Sequence, residues 1–330
     1  MSSSVLLPRA RLFGLLCCAV ALVGCSAANA VGTTRTDSTR TTVPADANAQ
    51  VNTGGFGSAA LRTVDPCGLL DAKTMSQFGT VSQSSGLSQL DSCQLDINDI
   101  KGHDLNVRVT IGDDLSDNKP TGTIAGLPVA EHASASICFE RLITQQHPTT
   151  GIEVEVNYDN SADSCVVARQ VAGLVVGRIR NKAPQRAGGV GSLALVNPCD
   201  TIDDASAASI TQGQPDKTAE GFYKCDWQSQ DYDLSVEFKV DTNPKDDTFD
   251  GTPRQVDVGV PAYAFSSTDV FPSCDVKWEV RPLGAGSNNG ANQGEVVDVQ
   301  FGNVLGGNVD PCAQAETAAK LVAAKVPHAS

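Results

Sequence analysis

Eight cysteines constrain the fold of this 330-residue chain more than any other feature. Cys17, Cys18 and Cys25 lie near the N-terminus. The others, Cys67, Cys93, Cys138, Cys165, Cys199, Cys225, Cys274 and Cys312, form two sets of four. Their gaps are 26, 45 and 27 in the first set and 26, 49 and 38 in the second. Matched spacing of this kind marks an internal repeat. The flanking residues repeat as well. Asp65-Pro66-Cys67 matches Asn197-Pro198-Cys199, Cys93-Gln94-Leu95 matches Cys225-Asp226-Trp227, and Gly126-Leu127-Pro128 matches Gly259-Val260-Pro261.

Periodicity gives each repeat its outline. Asp71 and Asp203 stand as N-caps before apolar residues at helical spacing, Met75 and Phe78 or Ala207 and Ile210. Leu105, Val107, Val109 and Ile111 alternate with polar residues, as do Leu234, Val236, Phe238 and Val240. This is the pattern of half-buried strands. Further strands open at Cys138 and Cys274 and run through Ile152–Tyr158 and Val297–Phe301. From Cys165, apolar residues recur at Ala168, Ala172, Val175 and Ile179; from Cys312, at Ala315, Ala319, Val322 and Val326. Each set forms the stripe of an amphipathic closing helix, stopped by Pro184 or Pro327. The expected fold is α+β: two tandem repeats, each an antiparallel sheet of about four to five strands with an opening and a closing helix.

An even cysteine count behind a secretory leader predicts disulfides. Confining pairs within repeats leaves nine of 105 connectivities. The preferred set is Cys67–Cys93, Cys138–Cys165, Cys199–Cys225 and Cys274–Cys312, which ties each terminal helix to a strand. The cysteines lie far apart and no His recurs beside them, so no metal site is expected.

Residues 1–24 read as a lipoprotein signal peptide. Arg9 and Arg11 precede the apolar run Leu12–Val23, which is shorter than the roughly 20 residues a membrane span needs. Leu22-Val23-Gly24-Cys25 resembles a bacterial lipobox. Cys25 is the expected lipidated residue, with acyl chains such as palmitate anchoring the mature chain. Residues 25–60 then form a Ser/Thr/Gly-rich tether with too little apolar surface to fold alone. Its Thr cluster near Pro44 suits an O-glycosylated stalk or a plain spacer equally. The repeats are placed at 61–186 and 190–330.

Net charge is −14, and about −16 once Arg9 and Arg11 are removed. That balance argues against a nucleic-acid partner. The second repeat carries most of it, with 9 basic and 21 acidic residues against 11 and 15 in residues 61–189.

The chain contains no GxSxG, HExxH, P-loop or complete EF-hand pattern. Gly284-Ala285-Gly286 lacks the third glycine of a dinucleotide fingerprint and reads as a loop. Asp246, Asp247 and Asp250 form an acidic loop with Lys245 where a calcium loop needs a ligand. His132 and His147 flank Cys138, but a Cys–His nucleophile requires an unbonded thiol. Of the four His, only His328 lies in the second repeat. No catalytic residue and no cofactor is assigned. Trp227, Trp278 and Tyr263 are the candidate ligand-cleft residues, set against a core-packing role for the two indoles.

The Asp-Pro-Cys opening, the Cys-x-aromatic/aliphatic strand and the closing Cys-x-x-Ala-x₃-Ala helix behind a lipobox resemble a known family. It comprises actinobacterial, mycobacterial- or nocardial-type cell-envelope lipoproteins with a domain of unknown function, number 3558, here in tandem over about residues 64–330. The first copy departs from it in having Leu95 where the second has Trp227, and is the weaker match. The resemblance implies helices on one antiparallel sheet and an envelope location, with no catalytic residue to carry over. The expected function is a lipid-anchored, non-catalytic protein that binds a ligand or protein partner on the extracytoplasmic face of the bacterial plasma membrane. The alternatives are an envelope hydrolase with a carboxylate-based site and a structural assembly subunit.

Overall fold

The computed structural model describes residues 55–327 apart from 88, 160–162, 187–190, 248–251, 268–270, 284–292 and 305–306. The signal segment, Cys25 and most of the tether lie outside the described residues, as do Gly284-Ala285-Gly286, Asp250 and His328.

The first repeat opens with three short helices, α1 (Ser58–Arg62), α2 (Pro66–Leu69) and α3 (Ala72–Met75). Phe56 and Leu61 are buried, so the fold begins within the last residues read as tether. The opening helix expected behind the Asp71 cap is α3, which ends at Met75 short of Phe78, and a separate turn, α2, precedes it with its own cap. Asp65 accepts from Cys67 N at 3.0 Å, and Asp71 accepts from Thr74 N at 3.0 Å. Seven strands follow: β1 (Thr80–Leu87), β2 (Ser92–Asn98), β3 (Asp104–Asp114), β4 (Gly122–Ile124), β5 (Leu127–Ser134), β6 (Ile137–Gln146) and β7 (Thr149–Tyr158). Helix α4 (Ser164–Lys182) closes the repeat.

The second repeat begins with two 3-10 turns, Leu193–Leu195 and Pro198–Asp200, and then α5 (Asp204–Ile210), capped by Asp203 on Ser206 N at 2.8 Å. Its strands are β8 (Asp216–Glu220), β9 (Lys224–Gln228), β10 (Tyr232–Thr242), β11 (Arg254–Asp257), β12 (Pro261–Ser267), β13 (Ser273–Pro282) and β14 (Gln293–Asn303). Helix α6 (Pro311–Ala323) closes it.

Both sheets are wholly antiparallel and share one topology. The first runs β1-β2-β3-β7-β6-β5-β4, and the second runs β8-β9-β10-β14-β13-β12-β11. Each sheet has seven strands, more than the four to five expected. The additional strands are edge strands or short ones. β8 is Asp-Lys-Thr-Ala-Glu and exposed along nearly its whole length; β4 has three residues and β11 four. An edge strand buries little and needs no apolar alternation, so it leaves no periodic signal.

The core lies between one face of each sheet and its closing helix. Val107 pairs with Val156 across β3 and β7, and Val236 with Val299 across β10 and β14. Ala168, Ala172 and Val175 of α4, and Ala315, Ala319 and Val322 of α6, are buried against them. The four disulfides are Cys67–Cys93, Cys138–Cys165, Cys199–Cys225 and Cys274–Cys312, the preferred set. They tie α2 to β2, β6 to α4, the second 3-10 turn to β9, and β13 to α6.

Glu295, buried on β14, fixes the start of the second repeat. Its carboxylate accepts from Ser192 Oγ at 2.9 Å and Leu193 N at 2.7 Å, and also pairs with Arg281. A carboxylate taking three donors is well compensated for its burial.

Candidate functional site

The two repeats meet through reciprocal contacts. Counting from the cysteines, the β1–β2 turn Gln89-Leu90-Asp91 occupies the position of the β8–β9 turn Gly221-Phe222-Tyr223. Each turn holds its own third strand: Ile111 N donates to Asp91 O at 2.9 Å, and Phe238 N donates to Tyr223 O at 2.8 Å. Each turn also reaches the other repeat. Gln89 Oε1 accepts from Val240 N on β10 at 3.1 Å. Phe222 lies against Gly112 on β3, where φ is +82° and an added Cβ would enter the Phe222 ring. Gly221 is equally confined, since a Cβ there would come within 2.8 Å of Gly112 O.

Arg62 crosses the same junction. Its guanidinium stands 4.6 Å from the Phe222 ring centroid and 5.4 Å from that of Tyr223. It donates to Val196 O at 3.1 Å. Tyr223 Oη donates to Ala194 O at 3.0 Å. Buried apolar residues of both repeats consequently form one continuous cluster.

A cleft of about 320 Å³ opens at this junction. The first repeat contributes Gln89, Leu90, Asp91, Asp113 and Asp114; the second contributes Glu220, Tyr223, Lys224, Glu237, Phe238 and Lys239. Five carboxylates face two ammonium groups. Burial pushes the Asp113 carboxyl up to about 7, helped by negative Glu153, Asp91 and Asp114 and opposed by Arg141. Burial likewise pushes Asp91 up to about 6, with Glu237 adding to the shift while its own backbone N–H and Arg186 oppose it. Glu237 is raised too, again by burial. Lys239 is held charged, above the ordinary lysine range, because Asp298 at 2.7 Å, Glu237 and Asp241 outweigh its burial.

These raised carboxyls destabilise the fold at neutral pH. In the unfolded chain Asp113 has the ordinary value of 3.8; in the fold it titrates near 7. The folded state therefore binds more protons between those values, and its stability falls as pH rises through that window. Asp113→Asn removes the charge. It should leave stability near pH 4 unchanged and raise it at pH 8 by about 2–4 kcal/mol. Urea unfolding at the two pH values checks this; an equal effect at both would refute it.

The residues singled out in the sequence divide between locations. Trp227 on β9 is 1% exposed and packs in the core beneath Lys217. Trp278 and Tyr263 do come together, lining a second cavity of about 310 Å³ with Asn243, Lys245, Glu279 and Pro327. Cys138 is bonded to Cys165, which leaves no thiolate for His132 or His147. Asp247 pairs with Lys277 at 3.8 Å. Among the described residues no group of three or more His, Cys, Asp or Glu is arranged to hold a metal ion. No described helix is long and apolar enough to cross a membrane.

The junction carboxylates Asp91 and Asp113 escaped sequence reasoning. Asp91 is one of many surface-type residues in a turn. Its only mark is standing where the second repeat has Tyr223. Asp113 closes an alternating strand, where a polar residue is ordinary.

No curated protein and no solved structure matches the chain. A family match runs from the leader through most of the first repeat, the copy the sequence made the weaker one. Residues 20–178 match the model of a family described as protein of unknown function (DUF3558), and this supports a domain of unknown function over that repeat.

Proposed function

We propose that this protein is a lipid-anchored, non-catalytic binding protein of the cell envelope, on the extracytoplasmic face of the plasma membrane. Its ligand occupies the cleft between the repeats and carries positive charge. The lipobox at Cys25 supports the anchor, and the lineage reading rests on the motifs shared with actinobacterial envelope lipoproteins. One observation carries the binding reading: Asp91 and Asp113 converge with three further carboxylates on a cleft built by both repeats, where burial raises both. Raised carboxyls that converge on a cavity mark a candidate functional site. An amine or guanidinium would restore the balance by pairing with the buried carboxylates.

Native mass spectrometry of the full lipidated chain, extracted in detergent from its own envelope, tests this. The expected result is a retained basic ligand at pH 8. It should be released below about pH 6, as Asp113 and then Asp91 take up protons, favoured by negative Glu153, Asp114 and Glu237 and opposed by Arg141 and Arg186. The Asp113→Asn chain should carry less of it. A bare chain at pH 8, or a ligand indifferent to Asp113→Asn, would refute the assignment.

The raised carboxyls also favour one other reading, an envelope hydrolase with a carboxylate-based site, since such groups serve as general acids near neutral pH. Turnover of the captured ligand, abolished in Asp113→Asn, would select that reading. Fixed-stoichiometry recovery with another protein and no small ligand would select an assembly subunit.

A further inference from the structure

The second cavity shares no lining residue with the junction cleft and sits where β10 ends and β12 begins. Its lining differs in kind from the acidic cleft. Tyr263, Pro261 and Pro327 supply ring surfaces, and Val260 and Val280 add aliphatic surface. Asn243, Lys245 and Glu279 supply polar groups of three types: an amide, an ammonium and a carboxylate. Asn243 Nδ2 donates to Glu279 Oε2 at 2.6 Å, and Lys245 N donates to Asn243 Oδ1 at 3.1 Å, so the polar side is preorganised. The Glu279 side chain is seated over Gly294, where any Cβ would collide with Glu279 Oε1 and lie 2.8 Å from Arg281 O. A register shift between Glu279 and Arg281 gives β13 this local form.

Trp278 adds an independent observation. It lines the cavity and is 2% exposed, yet its Nε1–H has no acceptor among the described residues. A buried indole N–H ordinarily finds a partner. An acceptor from outside the chain would satisfy it.

We propose that this cavity is a carbohydrate site that takes one or two pyranose rings of a neutral glycan. A pyranose has apolar C–H faces and a rim of hydroxyls that both donate and accept. The faces suit the Tyr263 ring, whose body is apolar and whose tip is polar. The hydroxyls suit an amide, a carboxylate and an ammonium converging from one side. The volume of about 310 Å³ matches a small-ligand site. A purely cationic ligand would meet Lys245, and a purely apolar one would offer the Trp278 N–H no acceptor. The site is separate from the acidic cleft, so neither assignment depends on the other.

The test uses the full chain in detergent with maltotetraose, cellotetraose and chitotetraose as probes. Binding is followed by tryptophan fluorescence and by saturation-transfer NMR. At least one probe should bind with Kd below about 1 mM, the affinity range of a weak but specific small-ligand contact. Tyr263→Ala should weaken it at least tenfold while Tyr263→Phe retains it, as ring stacking requires. Glu279→Gln should weaken it several-fold, and guards against a folding defect in the alanine variant. Asp113→Asn should leave sugar binding unchanged. Failure of all three sugars to bind would overturn the proposal. So would binding that is indifferent to both Tyr263→Ala and Glu279→Gln.

Discussion

Reduction of the four disulfides is expected to unfold the protein. They close loops of 26, 27, 26 and 38 residues. On the chain-entropy model each contributes about 3.5–3.9 kcal/mol, and the four together about 14 kcal/mol. A domain of ordinary stability has only about 5–15 kcal/mol to lose. Two of the bonds also anchor openings with very little helix of their own. α2 has four residues and the turn Pro198–Asp200 has three, both too short to persist as isolated helices. Without Cys67–Cys93 and Cys199–Cys225, these openings lose their attachment to β2 and β9. Circular dichroism with and without reductant at 37 °C reads the outcome, and replacing single pairs by Ala apportions it. Each single replacement should lower the unfolding free energy by about 3–4 kcal/mol. A reduced chain with an unchanged urea midpoint would disprove this account.

Gly112→Ala should lose about 2–5 kcal/mol from two separate causes. The residue sits at φ +82°, where a Cβ costs about 1–2 kcal/mol by itself. The same Cβ would enter the ring of Phe222, and overpacking of that kind costs about 1–3 kcal/mol. Phe222 is 3% exposed and flanked by Arg62, so it has no open side to retreat into. A second change distinguishes the causes. Combining Gly112→Ala with Phe222→Ala should cost less than the two single changes added, because the collision is then gone. Strict additivity of the two would show that the ring and the glycine do not meet.

The elements that bury a face were legible in sequence, and those that do not were hidden. The closing helices announced themselves through the stripes Ala168–Ile179 and Ala315–Val326, and the central strands through Leu105–Ile111 and Leu234–Val240. β8 and β11 gave no such pattern, because an edge strand is held by backbone bonds on one side and its side chains face water. Asp71 marked the start of the opening helix, whereas the separate turn capped by Asp65 left no periodic signal because it is only four residues long. The junction cleft was the least legible part. It is assembled from residues about 130 positions apart, and no local periodicity records that Asp91 and Glu237 will face one cavity. Trp227 and Trp278 looked alike as inward strand residues, yet Trp278 lines a cavity with Tyr263 while Trp227 packs beneath Lys217. A strand's own pattern does not encode that difference.

The exchange of turns between the repeats is the wiring of an isologous dimer written into one polypeptide. In a dimer of identical subunits each residue near the axis appears twice, so a cleft there must present the same chemistry from both sides. Joining the copies lifts that restriction. The position occupied by Asp91 in one half holds Tyr223 in the other. Strand pairing from Cys93↔Val109 and Cys225↔Val236, followed through the β-bulge at Gly112, gives Asp113 and Lys239 equivalent places in the two halves. One half therefore supplies a carboxylate where its counterpart supplies a cation. A ligand entering between them meets a surface with a distinct left and right, and can be held in a single orientation.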